Sequence, residues 1–319
     1  MAKVEAPYKN TFSLNNDILS HACSVAFKVG QLAYAGEGRP TDEDAATAAR
    51  FILLDEGIEL NPSQMRGLRR GEEVPLVPVA RNIFKLYKKL PRLSPYEQSL
   101  LTEFESAAFP EGVPNRMSRT IDGCDFPLPP NSKVQSLVKG LFSFAKKNKG
   151  KMHPLVLACM LYYEVITIAP YSIWNHALAK IWFKLMLGEF SKGLLLLPIE
   201  KMMHSRKEAL QQAFDESIQV KDGQPFIGAL MQIIDDGVDT LIRRSLKKPD
   251  LPNPRAEKLV SAMEDGVFYG AGELLELLGL KSRLGLQKNY LKPALERKMI
   301  EMSNPLCPTD RTQRYRKKQ

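Results

Sequence analysis

Cysteine and histidine are scarce in this chain of 319 residues, with four of each. Cys23, Cys124, Cys159 and Cys307 are scattered and form no C-x-x-C pair. That spacing speaks against a zinc ribbon or a disulfide framework and suits reduced thiols, so a cytoplasmic location is expected. His21, His153, His176 and His204 stand at no metal-ligand spacing, and no metal site is expected. The first residues, MAKVEAPYKNTF, hold no apolar run, so no secretory leader is expected. Internal repeats and low-complexity tracts are absent, and no strand-like alternation occurs before residue 115. What is present is ordinary for a soluble protein: 44% hydrophobic and 25% charged residues, at a length sufficient for two or three domains.

One apolar run dominates. Pro154 to Ile168 is hydrophobic on nearly every side and broken only by Glu164 and Thr167. It approaches the length of a membrane span, but Glu164 sits mid-helix behind Tyr162 and Tyr163, and a helix apolar all round is a buried one. The run therefore reads as the central post of a helical domain. Pro170 ends it, lacking the amide hydrogen a helix requires. A short turn follows, Asn175 is the expected N-cap, and a second helix runs from His176 to Leu187. His153 reads as the residue that starts the first helix.

Other elements follow from spacing. Ile18, Ala22, Val25, Val29 and Leu32 fall at steps of three and four, one face of an amphipathic helix closed by Gly36 and Gly38. Thr41 with Asp44 forms a capping arrangement for a helix through Phe51 to Leu54, which Gly57 stops; Asn61-Pro62 starts another. Asp122-Gly123 is a hairpin turn, and from Ser132 an apolar stripe (Val134, Leu137, Val138, Leu141, Phe142, Ala145) marks a helix. A proline-rich connector, Lys247 to Pro254, reads as a domain boundary. Beyond it come helices over Arg255–Met263 and Gly272–Leu278, then a third capped by Ser282 and running towards Tyr290, with Pro293 forcing a new start. A strand, a turn and a strand close the chain.

The stretch from Ala169 to Lys180 resembles the core motif of Fic-domain proteins, H-P-F-x-[D/E]-G-N-G-R-x-x-R, on the same helix–turn–helix. Pro170 and Asn175 match and Tyr171 is conservative. Upstream, NRMSRTIDGCDFPLPPNSKVQSLVKGLF resembles the flap, double-proline turn and helix that precede that core. LLLPIEKMMHSRKEALQQAF and GQPFIGALMQIIDDGVDTLI resemble its closing helices, and ELLELLGLKSR with LKPALERKMIEMSNPLCPTDRTQRY resembles a winged-helix tail. The resemblance implies a mainly α protein. Its parts would be an N-terminal helical region (1–90), a Fic-like core with a small β-hairpin flap (91–246) and a C-terminal winged helix-turn-helix (255–319).

Active members of that family transfer AMP from ATP to a protein hydroxyl, and each motif position has a task. Where the family has its general base, this chain has Ala169; where an acid holds Mg²⁺, it has Ile173. Trp174 and His176 replace the glycines that let phosphates approach backbone amides, and Ala177 replaces the first arginine. Lys180 stands in place of the second arginine and, with Lys184 one turn on, reads as a solvated face. Arg206-Lys207 replace the tyrosines that close the nucleotide pocket. Ile52 to Gly57 resembles the inhibitory helix [S/T]-x-x-x-E-[G/N], so Glu56 and Gly57 are inhibitory candidates, with Glu56 facing Lys180.

The leading expectation is a degenerate Fic-fold protein without AMP transfer or cofactor, acting as a regulatory module that binds a protein through flap and groove or DNA through the basic winged helix. Two alternatives stay open. One is an adenylyltransferase with an unorthodox site using ATP and Mg²⁺, with His176 as a shifted base. The other is a winged-helix DNA-binding regulator that forms a homodimer through its core. The stretch Lys281–Gln319 carries eleven Lys and Arg against Glu296, Glu301 and Asp310, a net +8 of the chain's +9. Arg283, Lys288, Lys292, Arg314 and Arg316 are the DNA-contact candidates.

Overall fold

A computed structural model describes residues 3–5, 11–32, 40–75, 77–116, 128–246, 254–297, 299–304, 310 and 312–318. The chain divides into two units, 1–246 and 247–319. The expected flap turn at Asp122-Gly123, the closing glycines Gly36 and Gly38, and most of the proline-rich connector lie outside the described residues, as do Cys124 and Cys307.

The first unit opens with strands β1 (Lys3–Glu5) and β2 (Thr11–Ser13), paired antiparallel. No strand was expected here, and three residues are too short for alternation to register. Ser13 donates to the Asp222 carboxylate through both its amide (2.9 Å) and its hydroxyl (2.6 Å). Eleven α-helices follow among the described residues. They are α1 (Asn16–Leu32), α2 (Asp42–Asp55), α3 (Pro62–Arg69), α4 (Pro78–Lys89), α5 (Ser99–Ala108), α6 (Asn131–Asn148), α7 (Pro154–Ile168), α8 (Asn175–Phe190), α9 (Ile199–Ser205), α10 (Lys207–Val220) and α11 (Gln224–Leu246).

The sequence signals fix their ends. Thr41 and Asp44 form a reciprocal capping box on α2, and Asn61 and Gln64 do the same on α3. Gly57, at φ +79°, turns the chain out of α2. His153 caps α7, its Nδ1 accepting from the Leu155 amide. Every residue of α7 from Leu155 to Ile168 is buried, the result its all-round hydrophobicity demands. Helices α1, α6, α8 and α11 pack against it. The described residues from Phe12 to Leu90 share this core: α1 lies along α11 and α2 packs against α4 and α9. Among the described residues no helix is long and apolar enough to cross a membrane.

Beneath the site, α8 is pinned by buried polar contacts. Trp182 stacks on Phe142 (centroids 4.2 Å apart) and donates to the Pro95 carbonyl. Lys184 donates to both oxygens of Glu200 (3.1 and 3.0 Å), which also accepts from Tyr87 Oη at 2.7 Å. The solvated face expected for Lys180 and Lys184 is thus a buried one; both ammonium groups are paired with carboxylates. Spacing alone showed two lysines a turn apart, and their acidic partners lie far off in sequence.

The second unit contains α12 (Pro254–Ala262), α13 (Ala271–Leu278), α14 (Arg283–Leu286) and α15 (Lys292–Glu296), with its own core around Leu259, Leu274, Leu286, Leu291 and Ile300. Ser282 caps α14, accepting from the Gly285 amide. Pro293 does not restart the helix as expected: a π-helical turn, Gln287–Leu291, joins α14 to α15 without a break. Such a widened turn shifts the hydrogen-bond register, which lets a proline lacking its donor sit inside a helical stretch. Strands β3 (Tyr269–Gly270), β4 (Ile300–Met302) and β5 (Arg314–Lys317) form an antiparallel sheet in the order β3-β5-β4.

Candidate functional site

The α7–α8 turn forms one wall of a cavity of about 560 Å³, within the size range of small-molecule pockets. The ends of α2 (Asp55, Glu56) and α9 (Met203, His204) form other walls. Helices α7 (Tyr162, Ile166), α10 (Leu210, Phe214, Asp215) and α11 (Phe226) complete it.

The turn is tightly specified. Ala169 ends α7 in left-handed geometry (φ +46°), and Trp174 precedes α8 at φ +69°. Left-handed backbone favours glycine, and glycine is what the resembled motif has at the Trp174 position. Asn175 is the first residue of α8 and not its cap. Its side chain is drawn back to Tyr171, accepting from that residue's amide and donating to its carbonyl, both at 2.9 Å. The N-cap falls to Trp174, which supplies no side-chain acceptor. Tyr171 anchors the turn from below, donating to Glu105 at 2.8 Å and packing against Phe104 and Phe109.

The amides at the start of α8 are met by another helix. Glu56 Oε2 accepts from the Trp174 N–H at 3.1 Å, and the Ala177 backbone also hydrogen-bonds this carboxylate. Burial outweighs these bonds and the nearby Lys180 charge, and the Glu56 pKa is pushed up to about 6. Asp55, not Glu56, is the direct partner of Lys180. The expected Glu56–Lys180 pair is therefore corrected by one residue: Asp55 sits between Lys180 and His204, leaving Glu56 for the helix end. Asp55 Oδ1 lies 2.6 Å from His204 Nδ1. Burial alone would raise the Asp55 pKa, but the Lys180 charge and the bonds from His204 and Lys180 hold it below the ordinary carboxylate value.

Other motif positions are chemically quiet. Ala169 is buried with no proton-accepting group, and Ile173 is half exposed. His176 opens onto the cavity with Nδ1 3.5 Å from Tyr162 Oη. The residue keeps an exposed surface at the cavity mouth, but the protein packed around its ring, together with the Lys180 and Lys207 charges, pushes its pKa down to about 4. Trp174 is nearly buried and forms a wall of the cavity without filling it. Of the tyrosine-replacing pair, Arg206 binds Asp236 at 2.6 Å and Lys207 lines the cavity.

The residues do not fit ATP with Mg²⁺. Ile173 in the turn is aliphatic, Asp55 is committed to Lys180 and His204, and Glu56 engages the amides of Trp174 and Ala177. Among the described residues no cluster of three or more His, Cys, Asp or Glu could hold a metal ion. His204 and Asp55 are the site residues that sequence reasoning missed. The Asp55-Glu56 acidic pair beside Gly57 was the one available signal.

In the second unit Arg283, Lys288 and Lys292 are exposed on the α14–α15 stretch. Arg314 pairs with Glu273 at 3.5 Å, and Arg316 pairs with Glu301 while lying 4.8 Å from the Phe268 ring centroid.

Comparison with known proteins agrees with this architecture. Residues 254–317 match the family model described as the C-terminal domain of filamentation induced by cAMP protein Fic-like. The fold matches the crystal structure, at 2.70 Å resolution, of a Fic family protein from Desulfovibrio desulfuricans G20, with a TM-score of 0.71. That match covers 99% of this chain and 98% of the other at 22% identity, so the likeness is one of fold. No curated protein matches the sequence. The chain is a Fic-fold protein that carries a Fic-like C-terminal domain.

Proposed function

We propose that this protein is a binding module built on the Fic fold, and that it does not transfer AMP. The observation that carries the proposal is the Glu56 carboxylate on the Trp174 and Ala177 amides. A helix N-terminus is a natural anion site, and here the chain's own carboxylate takes the place a phosphate would need. Proton transfer and metal binding lack their residues as well, since Ala169 and Ile173 offer neither a base nor an oxygen ligand. The groove beside the turn would then serve to hold a protein partner.

Calorimetric titration tests this. Mg-ATP is expected to give no heat with the wild type, and Glu56→Ala is expected to gain measurable phosphate-dependent affinity. Incorporation of AMP into the protein or into added proteins, read by mass spectrometry, would overturn the proposal and establish the adenylyltransferase reading.

A second reading is favoured by the exposure of Arg283, Lys288 and Lys292 in the basic C-terminal stretch. Three helices and a small three-stranded sheet are the parts of a winged helix, and the positive surface would contact DNA phosphates. Fluorescence anisotropy with duplex DNA over a salt series is the measurement. Binding that weakens steeply with salt and is lost in Lys288→Ala/Lys292→Ala supports contact; salt-insensitive or absent binding removes the reading.

A further inference from the structure

Helix α1 carries two apolar faces, and only one has a partner among the described residues. Ile18, Ala22 and Val25 are buried against the core. On the opposite side Leu19 is 47% and Phe27 74% exposed, with Cys23 exposed midway between them. Of the exposed positions between Asn16 and Gly30, only Asp17 carries a charge. A neutral outer stripe is unusual on a chain one quarter charged, since such a face is normally the solvated one.

We infer that α1 pairs antiparallel with α1 of a second copy about a two-fold axis close to Cys23. The spacing of large and small residues selects this occupant. A residue advances about 100° around the helix and about 1.5 Å along it. In a two-fold antiparallel pair, Leu19 of one copy then projects towards Ala26 and Gly30 of the other. Phe27 projects towards Ser20 and Asn16 in the same way, so each large side chain meets a small-residue gap. The space beside Gly30 is open: a Cβ placed there would touch nothing within 4 Å. Cys23, at the centre, faces its own equivalent.

Antiparallel pairing also opposes the two helix dipoles. Lys28 lies off the stripe and is held within its own copy by Asp235 at 2.7 Å and Asp239 at 2.9 Å, so it sets no charge against the paired face. Isologous contacts of this kind close the assembly at two copies.

The test uses the full chain. Light scattering coupled to gel filtration is expected to give twice the chain mass for the wild type. Phe27→Glu and, independently, Ala26→Arg are expected to give one chain mass while keeping the wild-type helical circular dichroism and a cooperative unfolding transition, because both positions are exposed. In a Cys124→Ser/Cys307→Ser background, copper-phenanthroline oxidation is expected to yield a disulfide-linked dimer that Cys23→Ser abolishes. A monomeric wild type, a dimer unaffected by both substitutions, or a dimer that does not cross-link through Cys23 overturns the inference.

Discussion

Glu56 at the end of α2 accepts a hydrogen bond from the amide of Trp174 at the start of α8, 3.1 Å away and 118 positions on in sequence. The adjacent Asp55 takes Lys180 from the second turn of the same helix. Two consecutive carboxylates thus occupy two cationic features of one helix, its amide end and Lys180. The turn itself holds left-handed backbone at Trp174, with φ +69°.

The first prediction concerns pH and Glu56. Its folded-state pKa of about 6 lies above its ordinary value of 4.5, so the folded chain holds the proton more tightly than the unfolded chain. Below 4.5 both states are protonated and the burial of charge costs nothing. As pH rises to 6 the folded state must ionise a largely buried group, and stability falls by about 2 kcal/mol. Urea unfolding from pH 4 to 7 is expected to show that decline in the wild type relative to Glu56→Gln. Parallel pH profiles for the two proteins would contradict it.

Removing Lys180 tests the other carboxylate. Lys180→Met leaves Asp55 largely buried with only His204 beside it, and loss of one partner from such a pair costs about 3 kcal/mol. The sign follows from the lowered Asp55 pKa: the pair stabilises above the ordinary carboxylate value and loses its effect as pH falls through the lowered one. Chemical denaturation should therefore show a large deficit for the variant at pH 7 that shrinks towards pH 3.

Much of this architecture was legible in the sequence because its signals are local. The buried post α7, the capping boxes at Thr41 and Asn61 and the end of α7 before Pro170 all arise within a few residues. The site was legible only as a list of missing groups. Lys180 was expected on a solvated face because Lys184 follows one turn on, or facing Glu56 through the family resemblance, whereas its partner is Asp55, 125 positions away. Asn175 looked like a cap because asparagine caps helices. Its preference for the Tyr171 backbone depends on the turn closing first, which periodicity does not encode.

His176 should titrate far from an ordinary histidine. Although part of the residue is exposed, the protein packed around the ring and the nearby ammonium groups push its pKa down to about 4 from an ordinary 6.5. NMR of the imidazole C–H signals is expected to show one resonance unchanged between pH 7 and 5, assigned by its loss in His176→Gln. A midpoint near 6.5 for that resonance would mean that water, not protein, surrounds the ring.

The tryptophan in the glycine position gives the last prediction. Replacing nearly buried Trp174 by alanine removes a large side chain from the cavity wall, at a cost of about 3 kcal/mol. Glycine removes the same atoms and one methyl more, and it also loosens the unfolded chain, both of which would ordinarily make it the worse substitution. At φ +69°, however, alanine retains the clash between Cβ and backbone that glycine avoids, worth about 1–2 kcal/mol. Trp174→Gly is therefore expected to be more stable than Trp174→Ala by about 1 kcal/mol once the opposing terms are combined. Guanidinium midpoints of the two variants decide it, and the reverse order would mean that the turn relaxes out of left-handed geometry when the indole is gone.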